Sequence, residues 1–412
     1  MRQIIPVVII ASIAFLSHTV SYAQSIATVY SFDFYKENYP TSNLVFNVSG
    51  NTLYGHTGSI LYQLNINQVP HALDTVYLSG RDSDDQGYQF DGDLTISKDM
   101  NHLYGVKNSF TRGAIFKINL INKSVTLLHE FDLNTRDMEG YDAQGGVVIS
   151  NDGRYLYGVT QSGGSHLLPR SRGGVIYRLT LDGSDKNPYK VLYSFSGDKL
   201  NGGAPAGSLV LSSDNQSLYG VTTYGGQKNC GTLFRLTVGN ETSSVFKTLH
   251  DFDCTNEAGS HTGGIPNGII SSADGRYLYG TAYKTNWTNN NGIIFQIDLH
   301  DPTYSSQVLH QFNVEDGVLP NNLSLNQDGN ALFGTTQMYG LTRSNHGSLF
   351  KLSLDTKQPQ FTPVYFFNSA EGFGTPENKL LLDSAMKNIY GTTRYGGEHG
   401  DGTIFRIELK NS

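Results

Sequence analysis

Short apolar runs recur along the chain in a fixed order, and each run is only long enough for a β-strand. One recurring segment begins with "LYG", passes through a polar, glycine-rich stretch and ends in an alternating run such as "GTIFRI". Alternation with a period of two is typical of a strand with one buried face, so each segment predicts a hairpin. Another apolar run precedes each hairpin, and most of these runs end in a turn sequence such as "NDG" or "ADG".

The hairpin segment occurs seven times, at intervals of 50 to 62 residues. A fourth apolar run, such as "TLLHEF", follows six of the seven hairpins. Each copy therefore predicts a unit of four antiparallel strands. The copies begin at Leu53, Leu103, Leu156, Leu218, Leu278, Leu332 and Ile389.

The two ends of the chain complete one another. No fourth run follows the seventh hairpin, whereas residues 26–33, "IATVYSFD", have the pattern of a fourth run with no hairpin before them. Pairing residues 26–33 with residues 402–409 closes a ring and leaves few exposed sheet edges. We predict an all-β fold, a seven-bladed β-propeller whose last blade is closed by the N-terminal strand. A linear β-solenoid is the alternative, but its coils usually repeat at shorter intervals and it leaves the exchanged ends unexplained.

Residues 1–23 have the pattern of a secretory signal peptide. Arg2 precedes the apolar run "IIPVVIIASIAFL", and Ser21 and Ala23 supply small residues for a cleavage site after Ala23. A membrane anchor is the alternative, although the run is shorter than the roughly 20 residues that a span needs. We expect residues 24–412 to form a single propeller that is secreted or periplasmic.

The repeat carries a resemblance to a known family. The seventh copy, "IYGTTRYGGEHGDGTIFRI", begins at Ile389 and resembles the tandem repeat called GloVer. The likeness is strong in copies four and seven and weak in copies one and two. It implies an exported repeat protein, but it implies no activity and no catalytic residues.

Composition and charge narrow the classes of function. The chain has 412 residues, of which 46 are glycine and 25 tyrosine, with 16% charged residues and a net charge of −7. This is a folded composition, and no basic block indicates nucleic-acid binding. No later apolar run could span a membrane. We expect a monomer.

The two cysteines flank one predicted strand pair. Cys230 precedes the third strand of the fourth blade, and Cys254 follows the fourth strand. Antiparallel neighbours have Cα atoms about 4.5–5.5 Å apart, which suits a disulfide. We therefore predict a Cys230–Cys254 bond, with two free thiols as the alternative.

Three histidines and several acidic loops suggest metal sites, but other interpretations fit better. His129, His250 and His310 occupy a fourth-strand position that holds tyrosine in the other copies, which favours packing. The acidic loops are 80–93, 132–142 and 313–317, and the spacing of Asp82, Asp84 and Asp85 does not match an EF-hand. We interpret these segments as solvated loops, and calcium binding to them is left open as the alternative. No nucleophile elbow and no HExxH motif occurs, so we expect no catalytic set, metal or cofactor.

The long predicted loops share one face of the ring. They join second to third strands and fourth strands to the next blade, and loops on a rigid scaffold commonly carry function. Trp287, the only tryptophan, lies in the polar loop "KTNWTNNNG". Aromatic and polar side chains together suit a sugar or a peptide. We predict a ligand surface formed by Tyr224, Tyr283, Trp287, Tyr339, Tyr395 and His399.

Three functions stay open at this point. The first is an exported, non-catalytic binding propeller that contacts a glycan, a peptide or a surface partner. The second is an exported enzyme with its site on the same face, either a glycan hydrolase or lyase or a lactonase-like hydrolase. The third is a structural component of a surface or matrix. An enzyme requires converging carboxylates or a metal at the channel, whereas a binder requires an aromatic groove, and the fold alone does not decide between them.

Overall fold

The computed structural model describes most of the chain after residue 24. The described residues are 25–33, 35, 37, 39–79, 89–108, 113–131, 139–165, 173–238, 244–255, 263–285, 290–339, 346–355, 358–369 and 372–409. Their strands form seven antiparallel sheets, which confirms the predicted seven-bladed β-propeller. Within these ranges no helix has the length and apolar character that a membrane crossing requires.

Blades 1 to 6 run outward from the central channel in chain order, from the first strand to the last. Blade 1 contains β2 Val45–Phe46, β3 Thr52–His56, β4 Ile60–Asn65 and β5 Leu73–Leu78. Blade 2 contains β6 Gln89–Ile96, β7 His102–Asn108, β8 Gly113–Asn119 and β9 Val125–Phe131. Blade 3 contains β10 Tyr141–Ile149, β11 Tyr155–Ser162, β12 Val175–Thr180 and β13 Tyr189–Ser194. Blade 4 contains β14 Gly203–Leu211, β15 Ser217–Tyr224, β16 Thr232–Thr237 and β17 Val245–Asp251.

The remaining three blades show the same order with two variations. Blade 5 contains β18 Gly264–Ser271, β19 Tyr277–Lys284, β20 Ile293–Asp298 and β21 Ser306–Gln311. In blade 6 the inner strand is split, so that β22 Val318–Pro320 and β23 Ser324–Leu325 both pair with β24 Ala331–Met338, followed by β25 Ser348–Ser353 and β26 Gln360–Phe366. Blade 7 combines β27 Leu381–Leu382, β28 Asn388–Thr393 and β29 Thr403–Glu408 with β1 Ile26–Ser31.

The ring closes as the sequence predicts. Strand β1 pairs antiparallel with β29, from Ile26 opposite Ile407 to Ser31 opposite Thr403. Val29 and Phe32 are buried in the core shared by blades 7 and 1. The N-terminal strand therefore supplies both the hydrogen bonds and the apolar side chains that complete the last blade.

The glycine of each "LYG" segment makes room for an aromatic ring on the neighbouring third strand. A Cβ atom at Gly220 would lie only 2.4 Å from Cζ of Phe234. Each blade has the same arrangement, which we call the glycine–aromatic layer. Its pairs are Gly55–Tyr62, Gly105–Phe116, Gly158–Tyr177, Gly220–Phe234, Gly280–Phe295, Gly334–Phe350 and Gly391–Phe405.

A second glycine lets neighbouring blades approach each other closely. Gly231, just before β16, has φ +95°, and a Cβ there would lie 2.8 Å from Cδ of Pro266 on the inner strand of blade 5. Only glycine adopts this left-handed conformation without strain. Gly402 packs against Pro40 in the same way, so this contact also joins blade 7 to blade 1.

The predicted disulfide is present in blade 4. Cys230 and Cys254 are both fully buried, and their Cα atoms lie 5.8 Å apart. They flank the pairing of β16 with β17, in which Thr232 lies opposite Asp251. The bond ties the start of the third strand to the end of the fourth.

Candidate functional site

The predicted ligand tyrosines all lie at one face of the ring. Second strands run in the same direction in every blade, so their ends, and the loops that follow, meet at a common face, here called the long-loop face. Tyr224 ends β15, and Tyr283 lies one residue before the end of β19. Tyr339 directly follows β24, and Tyr395 lies two residues after the end of β28. Trp287 lies outside the described residues.

These side chains differ in how available they are. Tyr395 is 49% exposed, and His399 is also exposed. Tyr339 packs on its own blade, with its ring centroid 4.3 Å from that of Phe366. Tyr224 is half-buried at the end of its strand. Tyr395 is therefore the described tyrosine of the predicted set with the largest exposed fraction.

Tyr283 belongs to a polar network between blades 5, 6 and 7. Its half-buried hydroxyl is hydrogen-bonded to the Gln337 side chain, and burial raises the pKa of Tyr283 to about 12, with the Glu377 carboxylate acting in the same direction. Gln337 Nε2 in turn donates to Asn321 Oδ1 at 3.0 Å. The phenol is thus held in place and protonated at neutral pH.

Arg394 organises the neighbouring part of this network. Its Nη1 lies 3.2 Å from Glu377 Oε1, and its Nη2 donates to the Tyr39 hydroxyl at 3.4 Å. The guanidinium carbon lies 4.7 Å from the Tyr39 ring centroid and 5.6 Å from that of Tyr395, which is cation–π geometry. We define the mouth cluster as Tyr39, Tyr283, Gln337, Glu377, Arg394 and Tyr395.

Sequence reasoning missed four members of the mouth cluster: Tyr39, Gln337, Glu377 and Arg394. One signal was available for Gln337 and Arg394, because the third residue after each "LYG" varies among the copies while the residue before it is threonine in five of the seven. The residues at this position are Gly58, Asn108, Gln161, Thr223, Tyr283, Gln337 and Arg394. A position that varies among otherwise similar repeats is one that packing does not fix.

A second polar group lies deeper, on the inner strands. In each blade one residue directly precedes a buried leucine, isoleucine or valine in or next to the inner strand, and this residue varies among the blades. We call these seven residues the throat ring. They are Asn43, Asp93, Gly146, Ser208, Gly268, Asn322 and Lys379.

The throat ring connects blades across the channel. Ser208 Oγ donates to Asp93 Oδ2 at 3.3 Å, from blade 4 to blade 2. Burial raises the pKa of Asp93, whereas the Lys379 charge from blade 7 and hydrogen bonds from Ser208 and the Asn43 main chain oppose that rise. Asp93, Ser208, Asn322 and Lys379 line a cavity of about 30 Å³ together with apolar groups of blades 5 and 6.

The three outer-strand histidines do not meet, because they lie in blades 2, 4 and 5. His129 stacks on Tyr189 of blade 3, with centroids 3.7 Å apart, and His310 stacks on Phe361 of blade 6 at 3.8 Å. Burial lowers the pKa of His129 and of His250 to about 4. These contacts are those of aromatic packing residues, as the sequence pattern indicates.

The acidic loops of the sequence lie only partly within the described residues. Asp82, Asp84 and Asp85 fall outside them. Asp316 is described, and its Oδ2 lies 3.1 Å from His310 Nε2. In the described part of the chain, no three His, Cys, Asp or Glu side chains come together in a way that could hold a metal ion.

Fold and site together define a seven-bladed propeller with a polar mouth and throat at its channel. The sequence model of the Gloeobacter/Verrucomicrobia repeat matches residues 56–265 and 258–412. The chain belongs to this repeat family. No protein of curated function matches the sequence significantly.

Solved structures with the same fold include enzymes. An oligogalacturonate lyase in complex with manganese has a TM-score of 0.62 at 12% identity, over 95% of each chain. An oligogalacturonate lyase from Vibrio parahaemolyticus has a TM-score of 0.60 at 12% identity, over 94% of each chain. A putative 6-phosphogluconolactonase from Bacteroides fragilis has a TM-score of 0.52 at 12% identity, over 92% of this chain and 98% of that one. At this identity the likeness concerns the fold alone.

Proposed function

We propose that this protein is an exported binding propeller that holds a glycan on its long-loop face, without catalysing a reaction. The observation that carries the proposal is the mouth cluster, where the exposed ring of Tyr395 lies beside the Arg394 guanidinium, which is itself paired with the Glu377 carboxylate. An aromatic face stacks on a sugar ring, while neighbouring polar groups pair with its hydroxyls.

The geometry of Arg394 supports binding at this place. Its guanidinium is already paired with Glu377 and packed over Tyr39, so it holds the aromatic side chains at fixed positions. A preorganised surface binds with a smaller entropic cost than one whose side chains must be ordered. Tyr395 is then a rigid platform on the rim of the channel.

Export is supported by two independent features. The first is the leader-like sequence of residues 1–23. The second is the buried disulfide between Cys230 and Cys254, since such bonds persist mainly in secreted and periplasmic proteins. A secreted or periplasmic location also gives the face access to polymers outside the cytoplasm.

A glycan array tests this function. We expect the purified protein to retain a defined subset of glycans, and Tyr395→Ala to weaken the tightest interaction by about tenfold, as expected for an interface anchor. Tyr304→Ala is the matched control, because Tyr304 lies between β20 and β21 and therefore on the opposite face. A protein that retains no glycan, or equal binding by Tyr395→Ala and the wild type, contradicts the proposal.

A further inference from the structure

Two polar groups of the throat ring have no hydrogen-bond partner among the described residues. Among the described residues, neither the Lys379 ammonium nor the Asn322 side-chain amide makes a hydrogen bond or a close ion pair. Both side chains are half-buried, and both line the same cavity. Polar groups that lack protein partners form their hydrogen bonds with water or with a bound ligand.

Asp93 faces this pair with its position already fixed. Ser208 Oγ accepts the Gly146 N–H at 2.8 Å and donates to Asp93 Oδ2, so its hydrogen-bonding capacity is largely used. The Asn43 main chain also donates to the Asp93 carboxylate. The cavity therefore presents an anchored carboxylate, an ammonium and an amide that can both donate and accept.

The charges around the cavity select the kind of group that fits. A bound anion is attracted by Lys379 but repelled by Asp93, and a bound cation is attracted by Asp93 but repelled by Lys379, so neither charge is favoured by both groups. A neutral hydroxyl accepts from Lys379 and donates to a carboxylate oxygen in the same position. The volume of about 30 Å³ holds one or two groups of this size.

We propose that the throat ring is a subsite for the neutral, hydroxyl-bearing end of a glycan, with Asp93, Asn322 and Lys379 as the recognising residues. This inference rests on the proposed glycan-binding function and names the part of the ligand that enters the channel. Asp93 accepts from one hydroxyl, Lys379 donates to the same or an adjacent hydroxyl, and Asn322 pairs with the remaining polar atom.

The throat and the mouth are connected by the segment that leads into β27 of blade 7. Glu377 belongs to the mouth cluster, and Lys379 lies two residues further along the same segment, so their Cα atoms are at most about 7 Å apart. One sugar ring has roughly this span. A glycan end in the throat therefore leaves the next residue beside Tyr395 and Tyr283, so the two clusters recognise successive units.

The test is an array with three groups of glycans. Their terminal residues are neutral sugars in the first group, uronates in the second and amino sugars with a free amine in the third. We expect the wild type to prefer neutral ends. Asp93→Asn removes the repulsion of anions, so the uronate-ended glycans gain about tenfold relative to the neutral ones. Lys379→Met removes the repulsion of cations, so the amine-ended glycans gain about tenfold instead.

Controls separate a local effect from a loss of the fold. Asp355→Asn and Lys387→Met make the same charge changes on the opposite face, and both should keep the wild-type preference. Melting curves check that each variant folds. Asn322→Leu replaces any variant that does not fold, and we expect it to weaken the binding of all glycans with neutral ends about tenfold. Retained glycans with an unchanged preference in the throat variants overturn the throat subsite but leave the proposed function standing. A wild type that retains no glycan overturns both.

Discussion

The glycine–aromatic layer and the throat ring are built from the same repeat but follow opposite rules. In the layer, every blade places a glycine against the tyrosine or phenylalanine of its third strand, without exception. In the throat ring, the seven blades supply asparagine, aspartate, glycine, serine and lysine. The glycine position of the layer is the same in all seven blades, whereas the throat position holds five different residue types.

The difference follows from what each position contacts. Each blade packs its aromatic residue in the same local surroundings, and close packing allows only one solution. The throat residues instead lie around one channel, and the side chains of Asp93, Ser208, Asn322 and Lys379 line a common cavity there. Repetition in this protein therefore marks positions that packing fixes, and departure from repetition marks positions that packing leaves free to vary.

The largest loss of stability should come from removing β1, which closes the ring of blades. A chain that begins at Thr41 lacks β1 and Phe32, and it leaves β29 with an unpaired edge. Burial of Val29 and Phe32 contributes roughly 1.5–3 kcal/mol each, so we expect the loss of these two side chains alone to lower the melting temperature by roughly 4–7 °C, with the lost β1–β29 hydrogen bonds adding to it. Calorimetry decides, and an unchanged melting temperature contradicts this role of β1.

The disulfide should have the next largest effect. Cys230 and Cys254 are 24 residues apart, and closing a loop of this size constrains the unfolded chain by about 3 kcal/mol. We expect the Cys230→Ala, Cys254→Ala double variant to lose about this amount in denaturant titrations. The throat ring does not contact the bond, so glycan binding at low temperature should be retained. Loss of binding with unchanged stability would reverse this assignment.

A single added methyl group tests the glycine–aromatic layer directly. Gly220→Ala places a Cβ within 2.4 Å of Phe234, and overpacking of this kind costs about 2 kcal/mol. Phe234→Leu in the same chain should restore part of the loss, because the smaller side chain vacates that space. A double-mutant cycle measures the coupling. Additive effects of the two changes contradict the steric explanation.

The histidine at the outer strand of blade 4 should make stability depend on pH. Burial lowers the pKa of His250 to about 4, whereas an unfolded histidine titrates near 6.5. Between these values only the unfolded chain binds the proton, so the free energy of unfolding decreases as the pH falls from about 6.5 to 4. We expect His250→Tyr, which copies Tyr193 of blade 3, to reduce this decrease by about 1–2 kcal/mol. Parallel pH profiles of variant and wild type contradict it.

The smallest effect on stability is expected where the loop face alone is changed. Trp287→Ala should weaken glycan binding by roughly 1–3 kcal/mol while the free energy of unfolding changes by less than about 0.5 kcal/mol. Binding measured by titration calorimetry and a parallel melting curve give the two quantities. A loss of several kcal/mol in stability would make Trp287 a packing residue.

The fold could be predicted because its signals are local and repeated. The alternation of "GTIFRI", the spacing of the copies and the fourth-strand pattern of residues 26–33 each indicate a strand within a few residues. The disulfide followed from the same strand order. None of these inferences required knowing which side chains meet across the ring.

The mouth and throat could not be predicted in the same way, because they form only when distant segments meet. Tyr39 and Arg394 are hydrogen-bonded across 355 residues of sequence, and Ser208 and Asp93 across 115. The exposed Tyr395 was identified from its loop, but its neighbours were not. Their polarity alone is ordinary for surface residues, and only the ring geometry brings them together.

The pairing of β1 with β29 also sets the order in which the molecule can be assembled. Blades 1 to 6 each consist of strands that are consecutive in the chain, so each can form as soon as its own segment has been synthesised. The seventh cannot, because its outer strand is made first and its partner last. During synthesis the first strand waits with an unpaired edge while six blades accumulate, and the mouth cluster, which needs both Tyr39 and Arg394, stays incomplete. The contact between Tyr39 and Arg394 therefore forms only after nearly all of the repeats have been synthesised.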